Sequence, residues 1–472
     1  MDITKLKHIH FTGIKGVGMT ALALYFRDMG KIISGSDTEE VFVTDEVLTK
    51  NNIHWQVGFG VNNLTSKPDL LICTAAHGGL NNPEVIAAKK MHIPILTYAE
   101  GLALVVKNKK LIATCGVGGK TTTSSIISVM LSMAGLNPSF VVGVGSINPL
   151  GVAGHYDPNG KYIVAEADEY AISPGINNNP KFSLLDPKVL IVHNIEHDHP
   201  DIYKTFQDTK RAFKLLFQKI SKDGVIIASC DNKNVVSLLR GIKAPIITFG
   251  FSNKAEFQIK NFRYGLEKTS FSLYSTKDKV FIVDLSTNIP GKYNALNSTS
   301  AFLAGKFLGI PYNKIKQGIE SYKGCRRRFE KIGEFNGARI YDDYAHHPEE
   351  IRSILTAAKD WFPKNRIVAI FQPHTHSRTK SLFKEFSRAF KEADVVGFMD
   401  IYASARETLD PSVSSKLLAN ETKKYNNKTY YLGDHKTTLA WIKKNLKKDD
   451  ILLTIGAGDI FHIHKELLKA TN

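Results

Sequence analysis

The segment that most constrains the fold is KLIATCGVGGKTTTSSIISVMLSMAG, residues 110–135, because it places a glycine loop between an apolar strand and a helix. Backbone N–H groups of such a loop bind phosphates, a lysine reaches the β- and γ-phosphates, and a hydroxyl reaches Mg²⁺. The residues that fit these roles are Gly116, Gly118, Gly119, Lys120, Thr121 and Thr122. A full GxxxxGK[ST] pattern would have glycine at position 114, where this chain has Thr114. The pattern therefore predicts a variant P-loop that binds a nucleoside triphosphate.

A second glycine loop, GIKGVG, follows the apolar strand HIHFT near the start of the chain and opens a helix. The loop contains Gly13, Gly16 and Gly18 in the order GxxGxG, not the GxGxxG of dinucleotide-binding proteins. Asp37 lies at the end of the next strand, where a ribose-binding acid could sit. We expect a phosphate-bearing ligand here; the alternative is a tight turn that only packs the helix on the strand.

Apolar strands alternate with helical segments in three blocks, which predicts βαβ units and parallel sheets. Residues 256–286 differ, since EFQIKNF, TSFSLYS and KVFIVDL alternate with a period of two, typical of antiparallel strands. We therefore expect an α/β protein with an antiparallel β segment in its central part. The expected domains are residues 1–107, 108–322 and 323–472.

The composition is that of an ordinary globular chain, with 62 Lys and Arg against 45 Asp and Glu and a net charge of +17. No apolar run approaches the roughly 18 residues of a membrane span, and no signal peptide is evident. The four cysteines show no short spacing, so we expect neither disulfides nor a cysteine zinc site. This cysteine usage fits a reducing compartment, and we expect a cytoplasmic location. A nucleic-acid-binding P-loop protein would use the positive charge, but no nucleic-acid fold signature is present, and we expect no nucleic-acid partner.

Acids and histidines follow the strands of the central part. Glu166 and His199 could supply an oxygen and an imidazole to a divalent cation beside the P-loop. The group His193, Glu196, His197, Asp198 and His199 could alternatively bind zinc or serve only as structural hydrogen-bonding residues.

The last third of the chain carries three further motifs. The arginine run at 326–328 could clamp a phosphoryl group or be a solvated surface run. The segments DDYAHHP (342–348) and QPHTHSR (372–378) also follow strands, and their histidines suit general-base or orienting roles.

These motifs, in this order, resemble the Mur ligase family over nearly the whole chain. The GxxGKTT, EADE, NIExDH, RRF, DDYxHHP and GAGD stretches carry the resemblance. It implies a Rossmann-like N-terminal domain for a UDP-sugar, a central P-loop ATPase-type domain and a Rossmann-like C-terminal domain. It also implies an ATP- and Mg²⁺-dependent ligase that forms an amide through an acyl phosphate during cytoplasmic peptidoglycan precursor synthesis.

The resemblance also implies roles for individual residues. Thr121 and Glu166 would hold one Mg²⁺, and Glu166 with His199 a second. The implied catalytic residues are Lys120, Glu166, His199, Arg327 and His347. The implied ATP-binding residues are Gly116, Gly118, Gly119, Lys120, Thr121, Thr122, Asn294, Asn297, Arg327 and Asp343. The UDP-sugar would contact Gly13, Gly16, Gly18 and Asp37, and the amino acid His347, His374 and Arg378.

Within the family, PHTHSRT (373–379) and DIYASARE (400–407) favour members that join L-alanine to UDP-N-acetylmuramate. The segment AISPGINNNPKFSLLDP (171–187) instead resembles members that attach the tripeptide L-Ala-γ-D-Glu-meso-diaminopimelate to the same sugar nucleotide. Val117 and Gly118 replace the usual Thr and His of the loop, and Tyr293 stands where His is common. A folylpolyglutamate synthase-like ligase is disfavoured by the N-terminal GIKGVG segment. We expect a monomer or weak homodimer without stable membrane insertion.

Overall fold

The computed structural model describes residues 1–199, 201–265, 267–403 and 410–469. These divide by their contacts into two compact units. The first contains residues 1–263, 270–288 and 294–326, and the second contains residues 264–269, 289–293 and 327 onward. In the described part of the chain, no helix is both long and apolar enough to cross a membrane.

The first unit begins with an open sheet of five parallel strands in the order β3-β2-β1-β4-β5. Its elements are β1 (His8–Thr12), α1 (Val17–Asp28), β2 (Ile32–Asp37), α2 (Asp45–Lys50), β3 (Trp55–Val57), β4 (Leu70–Cys73), α3 (Pro83–Lys90), β5 (Ile95–Thr97) and α4 (Tyr98–Val106). This strand order is that of a Rossmann-type sheet, in which ligands bind at the carboxyl ends of the strands. The apolar stretch after the first glycine loop forms α1, whose residues 19–26 are all buried.

The same unit contains a ten-stranded sheet in the order β17-β16-β15-β14-β13-β12-β6-β9-β7-β8, except for the last residues of β15 and the first of β16. Its strands are β6 (Lys110–Cys115), β7 (Ser139–Val141), β8 (Gly154–His155), β9 (Tyr162–Glu166), β12 (Val189–Val192), β13 (Val225–Ser229), β14 (Ile246–Gly250), β15 (Phe257–Gly265), β16 (Lys268–Ser275) and β17 (Val280–Thr287). A separate hairpin pairs β10 (Ala171–Ser173) with β11 (Asn177–Pro180). The helices are α5 (Lys120–Met133), α6 (Phe206–Gln218), α7 (Lys233–Leu239), α8 (Lys292–Phe307) and α9 (Tyr312–Ser321).

Helix caps and strand burial explain why these segments fold as they do. Every residue of β12 and β13 is buried, as expected for parallel strands covered on both faces. Thr205 caps α6 reciprocally with Asp208, and Thr97 caps α4 reciprocally with Glu100. The strands β15, β16 and β17 are neighbours in chain order, and links as short as theirs join only antiparallel strands. The period-two segment therefore forms the expected antiparallel part.

The second unit has a six-stranded sheet in the order β18-β19-β23-β20-β21-β22. Its elements are β18 (Glu330–Phe335), β19 (Ala338–Asp343), α10 (Pro348–Trp361), β20 (Ile367–Phe371), α11 (His376–Ser381), α12 (Phe383–Ser387), β21 (Val395–Met399), α13 (Ser415–Thr422), β22 (Thr429–Gly433), α14 (His435–Asn445), β23 (Ile451–Ile455) and α15 (His462–Lys469). All pairings are parallel except that of the edge strand β18. The expected α/β architecture is therefore present. The exact domain boundaries at 107/108 and 322/323 stay a prediction.

A buried carboxylate holds the carboxyl ends of the first sheet together. Glu84 is fully buried and accepts hydrogen bonds from Thr12 Oγ1 (2.7 Å), Ser36 Oγ (2.6 Å) and Asn63 Nδ2 (2.6 Å). His10 Nε2 lies 3.4 Å from the same side chain. Burial alone would raise the pKa of Glu84, but these hydrogen bonds outweigh it and lower the pKa to about 2. The charged carboxylate thus connects the end of β1, immediately before the loop at Gly13, with the end of β2.

We expect Glu84→Gln to lower the free energy of unfolding of this sheet by about 3 kcal/mol at pH 7, since each pKa unit corresponds to about 1.4 kcal/mol. Because the pKa is depressed in the folded state, this stabilisation is present above the ordinary carboxyl pKa and is lost as the pH falls towards 2. Hydrogen exchange of the β1 and β2 amides in urea at pH 7 and at about pH 3.5 measures the difference. The exposed Glu39→Gln is the control, and equal effects of the two changes would contradict the role of Glu84.

Candidate active site

The register of the ten-stranded sheet brings three distant segments to one edge. Strand β6 lies between β9 and β12, with Thr114 paired with Glu166 and Cys115 paired with Val192. Because all three strands are parallel, the P-loop and the segments 166–169 and 193–199 leave the sheet at the same edge. The sequence predicted this convergence, and the structure shows it.

The P-loop requires glycine for two physical reasons. Gly116 and Gly119 have φ values of +120° and +90°, which L side chains rarely adopt. A Cβ at Gly119 would lie 2.8 Å from Asn297 Oδ1, so the loop also needs the space. The Gly118 N–H donates to Asn194 Oδ1 at 2.9 Å. Asn194 was not among the predicted site residues, although it begins the NIExDH stretch.

Helix α5 begins at Lys120, so the first turn of this helix carries the lysine and both predicted threonines. Lys120 Nζ donates to Gly116 O at 2.7 Å and to both oxygens of Glu169 at 3.0 Å. Burial would lower the pKa of Lys120, but the charges of Glu169, Asp168 and Glu166 outweigh it and raise the pKa. Lys120 is therefore a fixed positive charge directly at the phosphate-binding loop.

Thr121 and Glu166, predicted as ligands of one metal ion, are adjacent. Thr121 Oγ1 lies 3.2 Å from both oxygens of Glu166, and the Gly143 N–H donates to Glu166 Oε1 at 2.8 Å. A hydroxyl and a carboxylate are hard oxygen donors of the kind that Mg²⁺ prefers. The residues present therefore fit a magnesium ion.

His199 lies beside different carboxylates from the one predicted. Its Nε2 is 3.9 Å from Glu169 Oε1 and 3.7 Å from Asp198 Oδ2, and its ring packs 4.6 Å from the ring of Tyr170. Possible ligand atoms of Glu169, Asp198 and His199 all lie within 4.8 Å of one another. His199 thus lies beside Glu169 and Asp198, and the predicted sharing of a second Mg²⁺ by Glu166 and His199 stays a prediction. The acidic residues of the EADE and NIExDH stretches are the sequence signal from which these neighbours of His199 could have been predicted.

Two histidines of the alternative zinc set form hydrogen bonds within the protein. His193 Nε2 lies 2.8 Å from Thr123 Oγ1, and burial lowers the pKa of His193 to about 3, so the ring is neutral. His197 Nε2 lies 2.9 Å from Tyr203 O. These contacts favour a structural role for both rings.

Asn294 and Asn297 lie in the first turns of α8. Asn297 Nδ2 donates to Asn294 Oδ1 at 3.0 Å. Asn297 Oδ1 would lie 2.8 Å from a Cβ placed on Gly119, so this side chain packs against the P-loop. Asn297 therefore lies against the P-loop, and the predicted contacts of Asn294 and Asn297 with ATP stay predictions.

The backbone of the first glycine loop is hydrogen-bonded to Asp37, whose side chain is buried with 1% exposed. Asp37 accepts hydrogen bonds from the N–H groups of Lys15 (2.7 Å) and Thr38 (2.8 Å). Gly13 has φ +78°, and a Cβ there would lie 2.4 Å from Thr74 Cγ2. Gly16 is the N-cap residue of α1. The carboxylate of Asp37 thus shapes the loop, and its predicted contact with the UDP-sugar is untested.

Tyr98, which sequence reasoning missed, connects this loop with the acidic segment. A Cβ at Gly18 would lie 2.9 Å from Tyr98 Cζ. Burial raises the pKa of Tyr98, and the charges of Glu166 and Asp168 raise it further. Lys181 Nζ lies 6.0 Å from the Tyr98 ring centroid and pairs with Asp168 Oδ2 at 2.7 Å. The N-terminal loop therefore lies close to the carboxylates at the P-loop.

In the second unit, Arg327 is 6% exposed and its guanidinium donates to protein acceptors. Its Nε donates to Asp342 Oδ2 at 2.9 Å and its Nη1 to Gly458 O at 2.9 Å, while its Nη2 donates to Gly456 O. Arg327 also has φ +58°, an uncommon backbone conformation for a residue with a side chain. Arg327 is thus buried and connects β19 with the loop after β23, and its predicted phosphate contact stays a prediction.

Asp343 and His347 also have partners in their own unit. The carboxylate of Asp343 accepts from the N–H groups of Phe329 (2.7 Å) and Ala345 (2.8 Å), and burial raises its pKa to about 6. His347 is the N-cap of α10, and its Nδ1 accepts from the Glu349 N–H at 3.4 Å. The predicted contacts of Asp343 with ATP and of His347 with the amino acid remain predictions.

His374 and Arg378, predicted to face the amino acid, are together. Arg378 Nη1 lies 3.3 Å from His374 Nδ1, and the His374 ring stacks on Tyr402 at 5.7 Å. The ring of His346 lies 6.4 Å from that of His374. Of the predicted segment DIYASARE, residues 404–407 lie outside the described residues.

Three family models match successive parts of the chain. They are the Mur ligase family catalytic domain (residues 8–110), the Mur ligase middle domain (115–305) and the Mur ligase glutamate ligase domain (327–458).

Known proteins match over nearly their full length. A UDP-N-acetylmuramate–L-alanine ligase from Geobacter sp. is 34% identical, covering 98% of this chain and 97% of that protein. One from Lachnospira eligens is 37% identical, covering 99% of both. The crystal structure of a UDP-N-acetylmuramate-alanine ligase from Thermotoga maritima has a TM-score of 0.82 at 25% identity and covers 99% of both chains. The structure of a murein peptide ligase from Psychrobacter arcticus shares the fold, with a TM-score of 0.70 at 22% identity and 98% of both chains covered. The P-loop edge, the three matching models and these relatives together place the chain in the Mur ligase family of ATP-dependent ligases.

Proposed function

We propose that this protein joins L-alanine to UDP-N-acetylmuramate with conversion of ATP to ADP and phosphate, as a step of peptidoglycan precursor synthesis. The observation that carries the proposal is the meeting of Lys120, Thr121 and Glu166 at one sheet edge, with the first glycine loop close by through Tyr98. Relatives named UDP-N-acetylmuramate–L-alanine ligase are 36% and 37% identical to this chain over 99% of its length.

The chemistry begins with the lactyl carboxylate of the sugar, whose oxygen attacks the γ-phosphorus of ATP. An acyl phosphate forms, the bond to the β-phosphate oxygen breaks, and ADP leaves. This step brings an anion to a polyanion, and the fixed charge of Lys120 and the N–H groups of the P-loop offset the repulsion. The neutral amine of L-alanine then attacks the acyl carbon, an amide forms, and inorganic phosphate leaves.

A magnesium ion would be held by Thr121 and Glu166, and a second by Glu169, Asp198 and His199; bound magnesium neutralises phosphate charge. Lys120, which pairs with Glu169, would also contact the phosphates. We propose His374 and Arg378 for recognition of the amino acid, and His347 for taking up the proton of its amine. Residues 1–107 would bind the UDP-sugar, residues 108–322 ATP, and residues 323–472 the amino acid.

The acceptor can be tested directly with purified protein, ATP and Mg²⁺. We expect phosphate release that requires both UDP-N-acetylmuramate and L-alanine, because the acyl phosphate is consumed by the amine. Other amino acids and L-Ala-γ-D-Glu-meso-diaminopimelate are the competing acceptors. A higher rate with the tripeptide would instead support the murein tripeptide ligase activity suggested by residues 171–187, and no release with any acceptor would refute a ligase of this sugar.

We expect Gly119→Ala to weaken ATP binding by about tenfold or more, a loss of about 1.4 kcal/mol. The alanine at position 119 would have to adopt φ +90°, and its Cβ would lie 2.8 Å from Asn297 Oδ1, so the loop must move. Gly135→Ala is the matched control, because Gly135 has φ +76° at the other end of α5 but open space around it. Titration with a fluorescent ATP analogue compares the two variants, and equal affinities would contradict the geometry.

Glu166→Gln should raise the Mg²⁺ concentration needed for half-maximal activity by about tenfold to 100-fold, because a metal ligand loses its negative charge. The control is Asp186→Asn, whose side chain is 83% exposed in the same part of the chain. The measurement is the rate of phosphate release against Mg²⁺ at fixed ATP. An unchanged Mg²⁺ requirement in Glu166→Gln would remove this residue from the metal site.

A further inference from the structure

A second cluster of metal-binding side chains lies in the second unit, apart from the residues used above. His435 begins α14 immediately after β22, whereas Asp459 and His462 follow β23. Possible ligand atoms of these three residues all lie within 4.8 Å of one another. None of the three has a part in the proposed ligation chemistry.

The distances fit a bound cation with little movement. His435 Nε2 lies 3.4 Å from Asp459 Oδ1. Two donors that each lie about 2.0–2.1 Å from a tetrahedral zinc ion are separated by about 3.4 Å. The rings of His435 and His462 are 6.2 Å apart at their centroids, so both rings border the same space.

A neighbouring amide orients the carboxylate of this cluster. Gln372 Nε2 donates to Asp459 Oδ1 at 2.6 Å, and the opposite end of the same amide, Oε1, accepts from the Ile460 N–H at 3.0 Å. Carboxylates that bind metal ions are commonly held in this way by outer hydrogen bonds. The Asp459 side chain is 27% exposed and that of His435 is 36% exposed, so an ion from solvent can reach them.

We propose that His435, Asp459 and His462 form a binding site for a transition-metal dication of the zinc class, with water completing its coordination. Two imidazoles and one carboxylate select such ions over Mg²⁺, which prefers oxygen ligands. The carboxylate of Asp434, which caps α14 by accepting from the Thr437 N–H at 2.8 Å, adds negative charge beside the site. A bound ion would tie the loop after β22 to the loop after β23.

The test uses the full-length protein and Zn²⁺ alone, by equilibrium dialysis and metal analysis at micromolar free Zn²⁺. We expect the wild type to bind one equivalent more than His435→Gln and one more than His462→Gln. The exposed His54→Gln is the control and should retain the wild-type stoichiometry. Any zinc that binds beside the P-loop is identified separately by its loss in His199→Asn. The comparison of the wild type with His435→Gln and His462→Gln therefore holds even if the proposed ligase activity is absent.

A second readout uses Co²⁺ in place of Zn²⁺. The visible absorption of bound Co²⁺ reports its ligands, and a band that persists in His199→Asn should be absent from both His435→Gln and His462→Gln. Thermal unfolding of each variant checks that it is folded. Equal Zn²⁺ stoichiometry in the wild type and His435→Gln would overturn the proposal, as would loss of the ion in only one of the two histidine variants.

Discussion

The attraction between Lys120 and the carboxylates at the ends of neighbouring strands is the interaction on which the site depends. Lys120 is held at 3.0 Å by Glu169 while Thr121 lies 3.2 Å from Glu166, so one helical turn contacts two acids three residues apart. The acids reach this position because β6 and β9 are parallel and in register up to Thr114 and Glu166. Positive and negative groups are thereby already paired at the edge of the sheet where we propose that the triphosphate binds.

The first sheet uses the same principle with different residues. Glu84 binds the strand ends, and Asp37 binds the backbone of the glycine loop. Lys15 of that loop is 1% exposed, with its Nζ 3.1 Å from Thr38 O and 3.5 Å from Asp45 Oδ2. The lysine of GIKGVG is therefore a structural residue, in contrast to the lysine of GVGGKTT. Both loops depend on buried charges, but of the two lysines only Lys120 begins a helix and donates to the backbone of its own glycine loop.

The sequence was sufficient for features set by local pattern. Glycine spacing, strand alternation and the period-two segment predicted both loops, the α/β class and the antiparallel strands. The convergence of Lys120, Thr121, Glu166 and His199 also followed, because parallel strands end at one edge.

Contacts between side chains distant in sequence could not be predicted in the same way. The motif EADE offers two glutamates, and only the structure shows that His199 lies beside Glu169. Tyr98 has no motif, and its place against Gly18 depends on how α4 packs on α1. Two of the three acceptors of Arg327 are carbonyl groups about 130 residues away in sequence, which no local pattern reveals.

The convergence of Lys120, Thr121 and Glu166 on one metal–triphosphate site can be tested by a crystal structure of the protein with Mg²⁺ and a non-hydrolysable ATP analogue. We expect a magnesium ion held by Thr121 Oγ1 and by Glu166, either directly at about 2.0–2.1 Å or through one water, with Lys120 Nζ on the β- and γ-phosphates. A triphosphate bound away from the loop at 116–119, or a metal ion with neither residue near it, would contradict the proposed site.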